Sequence, residues 1–192
     1  SVATGTISVA GADGESLSIS KSDLDVIASL TADADDTIAL TAAAAADLSA
    51  DIGKLSVSGT GTISVAGADG ESLSISKSDL DLIAGLTADA DDTIALTAAT
   101  SAALGTDVAK LSVSGTGTIS VAGADGENFS LTKTELDDFA SLEATGAGTI
   151  AITAATAAAL SADIGKLSVA TGTISVAGAD GESLSISKSD LD

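Results

Sequence analysis

The chain has 192 residues, and its 28 acidic side chains against 7 lysines leave a net charge of −21. Cys, His, Met, Trp, Tyr, Pro and Arg are absent, and Phe129 and Phe139 are the only aromatic residues. That composition excludes a disulfide framework, a thiolate metal site and the usual imidazole-assisted nucleophiles. It also opposes binding to nucleic-acid phosphates or anionic lipid surfaces, and the longest alanine run, 42–46, is far too short to span a membrane.

The stretch GTISVAGADGESLSISKSDLD begins at Gly5 and returns at Gly61, at Gly117 with substitutions, and at Gly172, in steps of 56, 56 and 55 residues. A fixed period of this length marks a tandem array. It divides the chain into the tail of a preceding repeat (1–4), repeat 1 (5–60), repeat 2 (61–116), repeat 3 (117–171) and a partial repeat 4 (172–192). Residues 1–25 are identical to 168–192, so a cassette of three repeats has begun again. With no initiator Met and no signal peptide, the expectation is a window on a longer array, begun inside a larger product or after processing.

Within repeat 1, residues 6–10 alternate, with Ile7 and Val9 on one face, the period-2 pattern of a half-buried strand. Asp13-Gly14-Glu15 reads as a turn, and Leu17 and Ile19 then alternate with serines in a second strand. Ser20 reads as the N-cap of a helix whose face carries Leu24, Ile27 and Ala28, with Leu30 close by and Val26 beside that face. Repeat 3 writes the cap as Thr132 and Glu135, a capping box. Residues 31–36 read as an acidic loop and 37–41 as a strand with Ile38 and Leu40 inward. Thr41 then caps a second helix with a stripe of Ala45, Leu48, Ile52 and Leu55, ending near Gly53, whose counterpart Ala109 argues against a left-handed C-cap. From Leu55 through Val65 the alternation suggests one long strand bent at Gly59 and Gly61.

Strands alternating with helices favour a largely parallel sheet. The expected fold is an α/β repeat solenoid of strands and short helices, about 56 residues per repeat. The alternative is a string of small α+β domains, each marginal in stability at this size. Phe129 replaces Leu17 and Leu73, and Phe139 replaces Ile27 and Ile83, so both rings belong in the core of repeat 3.

Calcium is the main chemical option, because hard cations want clustered oxygens. Two loops supply them. One carries Asp13 and Glu15, recurring as Asp69 and Glu71, Asp125 and Glu127, and Asp180 and Glu182. The other carries Asp33, Asp35 and Asp36, recurring as Asp89, Asp91 and Asp92, whereas repeat 3 has Thr145-Gly146-Ala147-Gly148 there. Neither matches an EF-hand, and turn chemistry alone also accounts for the Asp-Gly pairs. Ser58, Thr60, Thr62 and Ser64 form a hydroxyl row that suits a solvent-facing strand, and secondarily an ice-binding surface or glycosylation. Ser20-Lys21 is the nearest approach to a nucleophile and base, but it sits at an expected cap, so no enzyme and no catalytic residue are expected.

These near-identical tandem repeats, rich in Ala, Ser, Thr, Gly and Asp and lacking Cys, resemble the repeat regions of giant bacterial surface proteins, among them adhesin stalks and sheath or filament proteins. The resemblance implies an extracellular or cell-surface structural segment that spans load or coats a surface. Its partners would be adjoining repeats or copies of itself. A calcium-stiffened adhesin repeat is the alternative, and ice binding the third.

Overall fold

A computed structural model of the chain describes residues 6–33, 35–89 and 91–185. The expected tail at 1–4 and the last seven residues of the second 25-residue end lie outside the described residues. Repeat 1 contains β1 (Ser8–Ala10), β2 (Leu17–Ser20), α1 (Lys21–Leu24), β3 (Ser29–Ala32), β4 (Thr37–Ala43), α2 (Leu48–Ile52) and β5 (Leu55–Val57). Repeat 2 follows with β6 (Thr62–Gly67), β7 (Leu73–Ser76), α3 (Lys77–Leu80), β8 (Gly85–Ala88), β9 (Thr93–Ala99), α4 (Leu104–Val108) and β10 (Leu111–Val113). Repeat 3 has β11 (Thr118–Gly123), β12 (Phe129–Thr132), α5 (Lys133–Asp137), β13 (Ser141–Ala144), β14 (Ile150–Ala155), α6 (Leu160–Gly165) and β15 (Leu167–Val169), and β16 (Ile174–Gly178) opens repeat 4.

The expected helices are short, and turns and strand ends take the rest of their spans. Ser20 caps α1 as read, accepting the Asp23 N–H, but α1 stops at Leu24. Leu30 and Ala32 are buried on β3, where the sequence suggested the end of a helix and an acidic loop. Ala28, placed on the helical core face by its spacing, is exposed and donates its N–H to the Ile7 carbonyl. The alanine run is likewise split. β4 takes it through Ala43, α2 is five residues long, and Leu55 belongs to β5. Extended pairing satisfies every backbone group along a strand, whereas one short helix leaves most of its own unpaired. Where a neighbouring strand is available, pairing therefore overrides alanine's helix propensity. Gly53 and Ala109 both have φ near −62°, so the C-cap is right-handed as Ala109 implied.

The expected single strand through Leu55 and Val65 is two strands, β5 and β6, separated by a turn in which Gly59 has φ 63°. They belong to different sheets. The chain divides into two compact units, Ser1–Ile94 with Lys110–Gly117, and Ala95–Ala109 with Thr118–Asp192. In the first unit the strand orders are β1-β3-β5 and β2-β4-β6-β8-β10. These strands pair in parallel, and the chain alternates between the two sheets strand by strand. In the second unit β11-β13-β15 and β12-β14-β16 are parallel runs of the same kind.

Sheets cross the repeat boundaries. β4 of repeat 1 pairs with β6 of repeat 2, Ile38 against Ile63 and Leu40 against Val65. β14 of repeat 3 pairs with β16 of repeat 4. At these junctions the 56-residue repeat is not a separate domain. The spatial period is a coil. Ser8 pairs with Ser29 and Leu30 with Leu55, steps of 21 and 25 residues. In repeat 3 the 25-residue step shortens to 24, Ile150 to Ile174, which places the missing residue in the turn before β16. Each full repeat supplies five strands, an odd number, so its equivalents change sheet in the next repeat. β1 lies in the three-stranded sheet of the first unit and its counterpart β6 in the five-stranded one.

Most of the inward residues are those the alternation named, although Leu17 and Ile19 are only half-buried. Ile38, Leu40, Ile63, Val65, Leu73, Ile75, Ile94 and Leu96 are at most 4% exposed. Phe129 and Phe139 are buried as expected, although Phe139 follows α5 and does not lie on it. Ile7 and Val9 depart from the expectation, at 43% and 39% exposed. β1 is a terminal strand with β3 as its neighbour, whereas β6 lies between β4 and β8. Val26 is exposed, as its place beside the core face required, and so is its counterpart Leu82.

One feature of β4 is strained. Between Leu40 and Ala43 the register to β6 shifts, and Ala42 takes φ 54°. Ala98 and Ala154 repeat this at φ 54° and 55°. An L-residue held in the left-handed region costs about 1–2 kcal/mol, and Gly adopts it freely. Since all three alanines are exposed, Ala42→Gly, Ala98→Gly and Ala154→Gly should each stabilise the fold by about 0.5–1 kcal/mol net of glycine's extra chain entropy. Thermal melts of the single and triple variants check this.

Candidate functional site

Among the described residues the strands carry a single charged side chain, Glu143. All other described charges sit at the corners, in turns and short helices. Three kinds of corner bear chemistry.

The first is the Asp13-Gly14-Glu15 turn. Glu15 N–H donates to the Ala12 carbonyl at 3.2 Å and Gly14 has φ 83°, the conformation that makes Gly the fitting residue there. Gly70, Gly126 and Gly181 match it at 79°, 75° and 82°. Asp13, Asp69, Asp125 and Asp180 are exposed. The glutamates do something the sequence did not reveal. The Glu71 carboxylate accepts the Ala45 N–H at 3.4 Å, Glu127 the Ser101 N–H at 2.8 Å, and Glu182 the Ala157 N–H at 3.1 Å. Each acid thus ties its own repeat to the loop after the long strand of the repeat before it.

The second is the Asp33, Asp35, Asp36 loop and its copy at Asp89, Asp91 and Asp92. Asp33, Asp35, Asp89 and Asp91 are exposed, whereas Asp36 and Asp92 are buried, at 3% and 6% exposed. Asp35 and Asp91 have φ 74°, and their carboxylates accept the hydroxyls of Thr60 and Thr116. Asp36 N–H donates to the Asp33 carbonyl, and Thr62 N–H to the Asp36 carbonyl. Among the described residues no group of three acidic side chains is placed to hold a metal ion by itself. The two acidic loops of a repeat therefore do not merge into one carboxylate cage.

The third is built from the lysines and was not read from the sequence. Lys21 donates to both Asp25 oxygens at 2.6 and 2.8 Å and pairs with Asp47 at 3.2 Å and with buried Asp51 at 3.7 Å. Lys54 reaches Asp51 and Asp25 at 3.9 and 4.0 Å and donates to the Leu24 carbonyl at 3.1 Å, capping the end of α1. Repeat 3 rebuilds this with Lys133, Lys166, Asp137, Asp163 and the Leu136 carbonyl. Lys110 donates to the Leu80 carbonyl in the same way. The sequence signal was Lys and Asp four residues apart in KSDLD, with a second Lys 33 positions on, at Lys54.

Their protonation states follow. Hydrogen bonding to Asp25 holds the Lys21 ammonium well above its ordinary value of 10.5, and hydrogen bonding to Asp137 raises Lys133. The same bonds depress Asp25 and Asp137, while burial raises Asp51. A raised lysine contributes stability that is complete below its unfolded pKa and lost as pH climbs through its folded one. Deprotonation also adds to the net negative charge. Melting temperature should therefore fall steadily above about pH 10.5, and a flat profile from pH 9 to 12 would contradict the ion-pair assignment. On the acid side the terms oppose. The paired aspartates lose their contribution as pH falls through their depressed values, whereas Asp51 gains by protonation.

The hydroxyl row is broken. Ser58 and Thr60 lie in the turn before β6, and only Thr62 and Ser64 stand on the strand. Ser20 spends its hydroxyl on Asp23 and Ser22, and Lys21 is held by aspartates. No described helix is long and apolar enough to cross a membrane. Comparison with protein families, with curated proteins and with solved structures finds no match.

Proposed function

We propose that this chain is a structural segment of an extracellular repeat protein, a stalk, filament, sheath or surface layer, with no catalytic role. The observation that carries the reading is strand pairing across the repeat boundaries, β4 with β6 and β14 with β16. A fold extended this way grows by adding repeats, and each repeat buries its apolar face on the next. The partners are then adjoining repeats or further copies of the chain. Sheets with one described charge, Glu143, and acidic corners suit an array that stays soluble along its length. Antibody labelling of intact, unpermeabilised source cells tests the assignment. Surface labelling, removed by external protease, is the expected result; labelling only after permeabilisation would overturn it.

A further inference from the structure

Five carboxylates are buried in the described fold: Asp36, Asp51, Asp92, Asp107 and Asp163. Asp51 and Asp163 lie beside lysines, at 3.7 and 3.6 Å. Asp36 and Asp92 do not. Oδ2 of each, like Oδ2 of Asp51 and Asp163, is sealed from solvent and accepts no hydrogen bond, but no lysine pairs with Asp36 or Asp92 among the described residues. A buried, unneutralised carboxylate is strongly unfavourable, and such groups are normally found paired or bound to a metal. Nor does the fold require one here. Repeat 3 has Gly148 at this position, and β14 still pairs with β12 and β16 as β4 pairs with β2 and β6. The loop itself is rich in oxygens. Asp33 and Asp35 share the loop, and the carbonyl oxygens of Asp33 and Asp36 lie against Gly61, 3.4 and 2.5 Å from where a Cβ would stand. The second copy sets the Asp92 carbonyl against Gly117 at 2.6 Å.

We infer that the loops carrying Asp36 and Asp92 each bind one calcium ion, with those buried carboxylates as the anchoring ligands, and that the corresponding loop of repeat 3 binds none. Carboxylates, backbone carbonyls and water are the donors that calcium takes, and it tolerates the irregular geometry of a loop. The chain offers no thiolate or imidazole to favour a softer metal. The Asp36 carbonyl receives the Thr62 N–H and the Asp35 carboxylate receives the Thr60 hydroxyl. An ion here therefore stiffens the corner where repeat 1 meets repeat 2. The inference stands apart from surface location, and its test reads out separately.

The test is calcium titration by calorimetry of the 192-residue chain, freed of metal by chelator, in about 0.15 M NaCl so that diffuse attraction to its charge is screened. The expected result is two ions per chain with Kd of about 10⁻⁴ to 10⁻³ M, the range of extracellular modules. At a hundredfold excess over Kd the two sites together should raise the melting temperature by about 10–20 °C. The double variant Asp36→Gly/Asp92→Gly copies the repeat 3 loop residue and should fold. It should bind no calcium and show no calcium-dependent shift. The double variant Asp13→Asn/Asp69→Asn should keep both ions. Calcium that gives no saturable heat, with no more stabilisation than NaCl of equal ionic strength, would overturn the inference. So would two ions retained by the glycine variant.

Discussion

Phe129→Ala should be among the most damaging single substitutions in the chain, costing about 3–5 kcal/mol. The ring is 1% exposed on β12, beside Ile150 of β14. Its space is made by Gly123, where an added Cβ would stand 2.5 Å from Cε2 and 2.8 Å from Cζ. A methyl group in place of the ring leaves a void that the paired strands cannot close by collapsing, because their register is fixed by hydrogen bonds. For a chain of this length the melting temperature should drop by about 10 °C or more. Phe129→Leu restores the residue found at Leu17 and Leu73 and should cost only about 1 kcal/mol. Thermal or urea unfolding separates the two. Equal effects from Ala and Leu would mean that the ring does not fill the core.

Gly61→Ala and Gly117→Ala should each destabilise by about 1–3 kcal/mol through overpacking. The obstacle at Gly61 is mainly backbone. The new Cβ would sit 2.5 Å from the Asp36 carbonyl oxygen and 3.2 Å from the Val57 Cβ, and at Gly117 the corresponding distances are 2.6 Å to Asp92 and 3.1 Å to Val113. Moving the Asp36 carbonyl would loosen its bond from the Thr62 N–H and disturb the corner between β5 and β6. Gly105→Ala is the contrasting case. It lies on α4 with nothing within 4 Å of the added Cβ, so alanine should stabilise by about 0.5–1 kcal/mol through helix propensity. Urea unfolding of the three variants provides the comparison, and a neutral Gly61→Ala would show that the corner is looser than described.

Much of this architecture was legible in the residues. Period-2 alternation located Ile38, Leu40, Ile63 and Val65 in the core, and the Asp-Gly pairs marked turns whose glycines have positive φ. The cap residues were legible because their hydrogen bonds are local, and Thr132 with Glu135 forms the capping box as read. Helix length was not legible. Leu24, Ile27, Ala28 and Leu30 fit a helical face, yet Leu30 and Ala32 also fit a short strand, and the choice was made by Val9 and Leu55 pairing on either side of Leu30. That information is non-local. The same reason hid the coil, because its steps of 21 and 25 residues join segments with different sequences, whereas the 56-residue period joins near-identical ones. It also hid the lysine clusters, since Lys21 and Asp51 meet only once the coil is closed. Of the acidic loops, the sequence supplied the oxygens but could not distinguish buried Asp36 from exposed Asp33 and Asp35.

The central claim is that successive repeats share sheets, and particle length against repeat number tests it most directly. Repeats joined throughout as β4 joins β6 and β14 joins β16 would each add two and a half strand spacings, about 12 Å at about 4.8 Å each. Small-angle scattering from chains carrying increasing numbers of repeats should therefore show the maximum dimension growing by about 12 Å per repeat added. Growth of about 25 Å per repeat, the diameter of a separate 56-residue bead, would contradict the account.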